Sequence, residues 1–558
     1  MSMPATVAVV GLGALGLVTL KNLAEKGLDA TGFERAHVVG GLWNFKGEGD
    51  ETTVLESTVS NISKERGCFT DFPFSKGTPT HPEARHVQQY LWDYAAHFGL
   101  GPRMRLGTEV LAVERDEASG KWRVETATAT GGGGCAAASG VKTTSKETTT
   151  EEWWFDKVVF ATGINKMPVM PYVEGMEHFE GEVLHSSGYK RPASFQGKTV
   201  LIVGFSNSAV DTATTLAGHA KHVYVARRHD AFILPRVVDG KPLDHGFNHR
   251  KALVLRAAKA FLPVAASDAM MRRSLTAIHL RGLPNKDDGI DTDSQRPRIP
   301  SAVALDLANA PLPTRAPPLV SDSIFHEVLA GRASLVRALR QVEGPRAVLL
   351  ADGRRIDDLD AIVFCTGYQA DYALAGEHDP TREQPAGWAA AAGSNGRRLP
   401  RLYRNLFSLD LPHSLAFMGC IAFTNPAFLV YDLASMALAR VWAGEAALPP
   451  RAVMAASVDA QQARLVRLAQ DGAGSVIPGW IDGDEWTAWA DEVAGTGVLP
   501  RLGYGPAGWS FWLRDRRLCG LLMDGISSPH MYRLFETGKR RAWEGAREEI
   551  FRINGKSP

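Results

Sequence analysis

Val7-Ala8-Val9-Val10 is a short apolar run that ends in glycine. From about Ala14 to Lys26, apolar residues then recur at helical spacing (Leu15, Val18, Leu23). Ala30 to Glu34 reads as a second strand. Strand, turn, helix, strand is the opening of a doubly wound fold. The same grammar returns at Thr199 to Val225, with "TVLIVG" as strand, "NSAVDTATTLAGHA" as helix and "HVYVA" as the next strand. Two such units predict an α/β protein with two Rossmann-like dinucleotide-binding domains.

Residues 126–150 are a low-complexity stretch between two strand-like runs, "KWRVET" and "EEWWFDKVVFATG". They read as a mobile surface hairpin loop without chemistry. Lys251 to Arg281 reads as a basic amphipathic helix, for which packing on its own domain is favoured over a membrane surface. Residues 285–320, rich in Pro, Asp and Ser, read as an irregular connection.

Composition narrows the class. A chain of 558 residues has room for two or more domains. Lys plus Arg number 62 and Asp plus Glu 61, a net charge of +1, which argues against a nucleic-acid binder. The five cysteines (Cys68, Cys135, Cys365, Cys420, Cys519) are scattered, with no CxxC and no Cys/His cluster. Neither a disulfide framework nor a metal site is expected. No basic leader precedes the apolar N-terminal run, and no apolar stretch reaches 18 residues. The expectation is a cytoplasmic protein without a membrane span.

Gly11-Leu12-Gly13-Ala14-Leu15-Gly16 is a G-x-G-x-x-G turn between strand and helix. Gly11 permits the tight turn, Gly13 lets backbone approach a pyrophosphate, and Gly16 lets helix and strand pack closely. The helix N-terminus at Ala14 offers unpaired N–H groups to phosphate. Glu34 closes the second strand 34 − 16 = 18 residues after the last glycine, where an acid accepts hydrogen bonds from a ribose diol. An acid there disfavours a 2′-phosphate, so this site suits FAD or NAD. The second turn, Gly204-Phe205-Ser206-Asn207-Ser208-Ala209, has Ser206 and Ala209 in place of the second and third glycines. Asn207, Ser208 and Asp211 on the following helix complete its candidate contacts. Its second strand ends in Arg227-Arg228 rather than an acid, and two cations suit the 2′-phosphate of NADP. One acid-marked and one arginine-marked site in a single chain imply FAD beside NADPH, with hydride passing from nicotinamide to flavin.

A family resemblance follows from these and further motifs. Phe33-Glu34-Arg35 followed by Gly40-Gly41-Leu42-Trp43 resembles the FAD signature of the flavin-containing monooxygenases. Phe179-x-Gly181-x-x-x-His185-x-x-x-Tyr189-Lys190 resembles that family's identifying sequence. The related Baeyer–Villiger monooxygenases end this motif in Trp-Pro. Ala161-Thr162-Gly163 and Cys365-Thr366-Gly367-Tyr368 resemble the two interdomain linkers, and "FILPR" (Phe232 to Arg236) follows the arginine pair as in relatives. Ser60-Asn61-Ile62 with Lys64, Cys68 and "TDFPF" (Thr70 to Phe74) resembles the flavin-side loop. The resemblance covers most of residues 5–445; beyond about 450 no usable motif is found. Ser206 and the 126–150 insertion depart from the pattern, and a C-terminal anchor like that of microsomal relatives is not expected.

The resemblance implies an NADPH- and O2-dependent monooxygenase of the N,N-dimethylaniline type. In such enzymes a flavin C4a-hydroperoxide, shielded by bound NADP, gives its distal oxygen to a nucleophilic nitrogen or sulfur. Asn61 is the candidate catalytic residue, since its amide can donate and accept. His185 reads as a structural histidine or a domain coupler. Asn425-Pro426 is expected near the pocket, and Phe417 to Met436 is expected in the core. The FAD domain is expected to be discontinuous, residues 1–190 and 370–558, the latter with a C-terminal extension. The NADPH domain, 191–369, sits between them with an irregular helical insertion near 245–320. Partners are a small amine or thioether and O2; the oligomeric state is not legible, with a homodimer kept in view. The alternatives are a Baeyer–Villiger-type ketone oxygenase, which needs a cation beside the flavin, an NADPH oxidase making hydrogen peroxide, and a non-catalytic flavoprotein that binds a partner.

Overall fold

Val7, Ala8 and Val9 have no exposed surface, so Thr6–Val10 can form only an interior strand. The helix Ala14–Glu25 follows directly and is buried on nearly every side from Ala14 to Leu23. The sheet covers one flank and the helix Ala427–Trp442 another. Gly27, at φ +78°, turns the chain into the strand Asp29–Glu34. This computed structural model describes residues 3–49, 51–130, 147–284, 303–472, 474–536 and 543–558.

The first sheet has seven strands in the order Leu402–Tyr403, Phe407–Ser408, Leu415–Phe417, Lys157–Phe160, Thr6–Val10, Asp29–Glu34, Met104–Leu106. The run from Leu415–Phe417 to Met104–Leu106 is parallel. Val10 lies opposite both Phe33 and Phe160, so Gly11, Glu34 and Ala161 emerge together at the carboxyl edge. The second sheet is all parallel, in the order Ala333–Arg337, His222–Arg227, Thr199–Val203, Ala361–Phe364, Glu182–His185. Each parallel sheet has an antiparallel three-stranded companion: Thr108–Arg115, Trp122–Thr130 and Glu147–Phe155 beside the first; Leu339–Gly344, Ala347–Leu350 and Arg355–Ile356 beside the second. The doubly wound α/β architecture is the expected one.

Several elements differ from the sequence reading. The long basic helix is two helices, His249–Phe261 and Val264–Arg281, because Pro263 lacks an N–H and cannot continue a helix. The first packs on the C-terminal region: His249 Nε2 lies 2.6 Å from the Leu502 carbonyl, and Arg256 donates to Asp484 at 2.9 Å. The helix after the second glycine turn stops at Leu216, where His219 and Ala220 both donate back to its carbonyl. "EEWWFDKVVF" holds two strands, parted by Asp156, whose carboxylate accepts from Thr6 N at 2.8 Å. Residues 126–130 and 147–150, expected as loop, are strand: Trp122–Thr130 pairs with Glu147–Phe155 as a hairpin out to Thr130 opposite Glu147. The loop residues 131–146, and 285–302 of the expected connection, lie outside the described residues. Among the described residues, no helix is long and apolar enough to cross a membrane.

Candidate functional site

The first glycine turn is shaped by backbone. Gly11 has φ +94°, donates to the Phe33 carbonyl at 2.8 Å, and a Cβ on it would sit 2.8 Å from the Ala161 carbonyl oxygen. A Cβ on Gly16 would lie 1.8 Å from the Gly11 carbonyl oxygen, so only glycine lets helix and strand approach this closely. Gly13 meets only Gly41, whose own Cβ would stand 3.0 Å from the Gly13 Cα. Two side-chain-free segments thus face each other over the start of the helix, at Ala14, where the first-turn N–H groups lack helical partners. This cradle fits a dinucleotide pyrophosphate. Glu34 accepts from Leu12 N and Ala36 N, each at 2.9 Å, one on each oxygen. Both oxygens keep a lone pair for a ribose hydroxyl. Arg35 lies outside this cradle, exposed and 3.1 Å from Glu51.

The second turn repeats the design in part. Gly204 has φ +130°, and a Cβ there would be 2.4 Å from the Cys365 carbonyl oxygen. Ser206 occupies the N-cap of the helix Asn207–Leu216, but its hydroxyl makes no capping bond. Ala209 is fully buried. Asn207 Oδ1 accepts from Val320 N at 3.1 Å, tying the turn to the irregular connection. The arginine pair divides its work. Arg227 is buried and donates from Nε to buried Asp230, and Arg337 lies 3.9 Å from the same carboxylate. Arg228 is exposed and donates to Asn395 Oδ1 at 3.1 Å.

Residues of both units line a cavity of about 360 Å³. Leu42, Trp43, Ser60, Asn61 and Ile62 line it from the first unit, and Asn207, Ser208 and Asp211 from the second. Phe74, Pro426 and Phe428 close the apolar side. Among the described residues that line it, none is Lys or Arg. Asn61 does not point freely into this space. Arg236 Nη2 donates to Asn61 Oδ1 at 2.9 Å and to the Val59 carbonyl at 3.2 Å, and its Nε donates to the Ser60 carbonyl at 3.2 Å. Asp322 holds the same guanidinium at 2.9 Å. The Asn61 amide oxygen is thus committed to Arg236, while Asn61 remains part of the cavity lining. Burial pushes the Asp211 carboxyl up to about 6.

The loop is braced from behind as well. Ser63 N and Oγ donate to Asp244 Oδ2 at 2.8 and 2.9 Å, and Arg66 donates to the Ser527 carbonyl at 3.2 Å. Thr70 N donates to Asp432 at 2.8 Å, and the buried Arg533 guanidinium contacts Thr70 and, at 2.7 Å, Asp71. Lys21, buried in the first helix, pairs with Asp71 from the other side. His530 Nδ1 lies 2.9 Å from the Thr70 carbonyl, and its Nε2 3.6 Å from Cys68 Sγ. Cys68 is buried, and burial pushes its thiol well up, the opposite of a reactive thiolate. His185 Nε2 lies 3.1 Å from the Gly367 carbonyl and its Nδ1 accepts from Ser187 N at 3.2 Å. Burial lowers its pKa, so it is a neutral strut on the second linker. Phe417, Met418 and Met436 are core.

Sequence reasoning missed Arg236 as a site residue, although it quoted the "FILPR" run that holds it. It also missed Asp244, Asp322, His530 and Arg533. None of these carries a local signature, because Asp322 acts on Arg236 across 86 positions and the others act on the loop across 175 or more.

Two sheets with parallel cores, each opening on a glycine turn, and a cavity lined by both units form the two-nucleotide architecture of flavin monooxygenases. The chain belongs to the flavin-binding monooxygenase-like family, whose model matches residues 5–281 and 307–556. The family depends on FAD and NADPH, and the protein is a flavin-dependent monooxygenase. It is 42% identical over 550 residues to monooxygenase aurF of Gibberella zeae, covering 98% of this chain and 97% of that one. It is 27% identical over 555 residues to dimethylaniline monooxygenase (N-oxide-forming) 2 of Oryctolagus cuniculus, covering 98% and 91%. Its fold is similar to S-allyl-L-cysteine S-oxygenase of Allium sativum (TM-score 0.59, 21% identity, 88% and 89% covered). It is also similar to closed cyclohexanone monooxygenase (TM-score 0.55, 18% identity, 89% and 98% covered).

Proposed function

We propose that the protein uses NADPH and O2 to oxygenate a nucleophilic nitrogen or sulfur of a small molecule. The observation that carries this reading is Asn61, held by Arg236 through its Oδ1 and lining a cavity shared by both units. The relatives named N-oxide-forming are consistent with it. Bound flavin, once reduced, activates O2 and supplies one oxygen atom to the substrate while the other leaves as water. The chain's own residues bind, orient and exclude water. The first turn with Glu34 holds FAD; Gly204, Ser206, Asn207 and Ser208 receive the NADPH pyrophosphate, and Arg228 meets its 2′-phosphate. Trp43, Phe74 and Phe428 keep the cavity dry, and the Asn61 N–H stabilises developing charge on oxygen. We place the first domain border near Gly181 rather than at 190, since Glu182–His185 pairs with Ala361–Phe364. The second border stays near 369.

The Baeyer–Villiger reading needs a cation beside the flavin. Arg236 is the cation that reaches the lining, through Val59, Ser60 and Asn61, and its pairing with Asp322 weighs against that role. A panel of amines, thioethers and ketones, incubated with NADPH and O2 and read by product mass, tests the proposal. N-oxides or S-oxides are expected. Esters or lactones as the sole products would replace it with ketone oxygenation, and hydrogen peroxide alone with every substrate would replace it with an oxidase.

A further inference from the structure

Asn207 and Asp211 stand four residues apart, on one face of the helix Asn207–Leu216, and both line the cavity. A pyrophosphate held at the N-terminus of this helix has its adenosine half toward Arg228, on the strand-end side. The cavity that Asp211 and Asn61 line together is where the other half would enter. Asp211 is the one carboxylate among the described residues lining the cavity, and none of the described residues hydrogen-bonds or pairs with that carboxylate, the Thr215 hydroxyl donating to its backbone carbonyl instead.

The surrounding groups leave its charge as the variable one. Burial pushes the Cys365 thiol up to about 12, raises the Tyr368 phenol, and lowers His185 and His81. All four are uncharged near neutrality. Arg236 attracts the Asp211 charge from a distance but is already engaged by Asp322 and Asn61.

We propose, on the strength of the dinucleotide reading above, that Asp211 is the specificity-determining residue for the redox state of the nicotinamide cofactor, its carboxylate favouring the cationic ring of NADP+ over the neutral ring of NADPH. Binding of NADP+ selects the ionised form, so a proton leaves Asp211 when the oxidised cofactor enters. A neutral ring makes no such demand. The device suits an enzyme that must retain the oxidised cofactor after its hydride has been used.

Isothermal titration of the oxidised holoenzyme tests this, with NADP+ and with the 1,4,5,6-tetrahydro analogue of NADPH, which has a neutral ring and gives no hydride. The 2′-phosphate titrates near pH 6 and contributes to both ligands, so the ratio of the two Kd values isolates the ring. With the Asp211 carboxyl at about 6, the ratio Kd(NADP+)/Kd(analogue) rises about fourfold between pH 8 and pH 5.5. Asp211→Asn abolishes that rise and Asp211→Glu restores it, with flavin absorbance unchanged in both. A flat ratio in the wild type, or a slope that survives in Asp211→Asn, overturns the proposal. If the wild type binds neither ligand, the dinucleotide reading itself falls, and this inference with it.

Discussion

Arg236 Nη2 donates to Asn61 Oδ1 at 2.9 Å, across 175 positions of sequence. One guanidinium from the second unit thereby sets the orientation of an amide in the first. The same side chain holds the Val59 and Ser60 carbonyls, so the loop and the amide are fixed together.

Removing either partner separates binding from chemistry. Asn61→Asp and Asn61→Leu are expected to retain FAD and to abolish product formation. Arg236→Ala is expected to retain FAD and lower kcat/KM roughly 10- to 100-fold, the worth of a hydrogen bond to a charged group. Oxygenated product per NADPH consumed is the measurement. A yield within twofold of wild type in the Asn61 variants removes Asn61 from the mechanism.

The arginine pair makes a split prediction. Arg228→Ala is expected to reduce the preference for NADPH over NADH about tenfold while leaving Tm near wild type. Arg227→Ala leaves buried Asp230 with only the Asp306 N–H and Arg337, at 3.9 Å, beside its carboxylate, and is expected to cost about 3 kcal/mol of stability. Thermal unfolding and kcat/KM with each nucleotide distinguish the roles. An unchanged nucleotide preference in Arg228→Ala would falsify the 2′-phosphate assignment.

Gly13 and Gly16 should fail differently. Gly16→Ala drives a methyl into the Gly11 carbonyl and is expected to prevent stable folding. At Gly13 an added Cβ has only the Gly41 Cα, at 3.5 Å, to meet, so Gly13→Ala is expected to fold. Its methyl stands where the pyrophosphate passes, so FAD content should drop at least tenfold. Circular dichroism with the flavin-to-protein absorbance ratio checks both; a Gly13→Ala protein carrying full FAD contradicts the cradle.

Buried neutral histidines predict acid sensitivity. Burial holds His530 and His279 below the ordinary histidine range. A depressed pKa means the unfolded chain binds more protons, so this stability is present above the unfolded value of about 6.5 and is lost as pH falls through it. Urea midpoints are expected to decline between pH 7 and pH 5, and His530→Gln to flatten part of that decline. An equal slope in the variant shows that His530 does not contribute.

The sequence determined the two strand–turn–helix units, because strand burial, helical spacing and the need for glycine at Gly11, Gly16 and Gly204 are all local requirements. It also determined the candidate flavin-side loop, since Asn61 and its neighbours lie together in the chain. It did not place Pro263 as a helix break, although the reason is local: the missing N–H of proline was outweighed by the basic periodicity around it. Only the tertiary structure decided what Asn61 faces, which of the two arginines is exposed, and that Asp211 looks into the same cavity as the flavin-side loop. It alone gave the last hundred residues a task, since His530 and Arg533 act on Thr70 and Asp71 across more than 450 positions. Orientation, burial and pairing of charge arise from contacts between segments far apart in the chain. No periodicity or motif within one segment encodes which distant group will arrive against it.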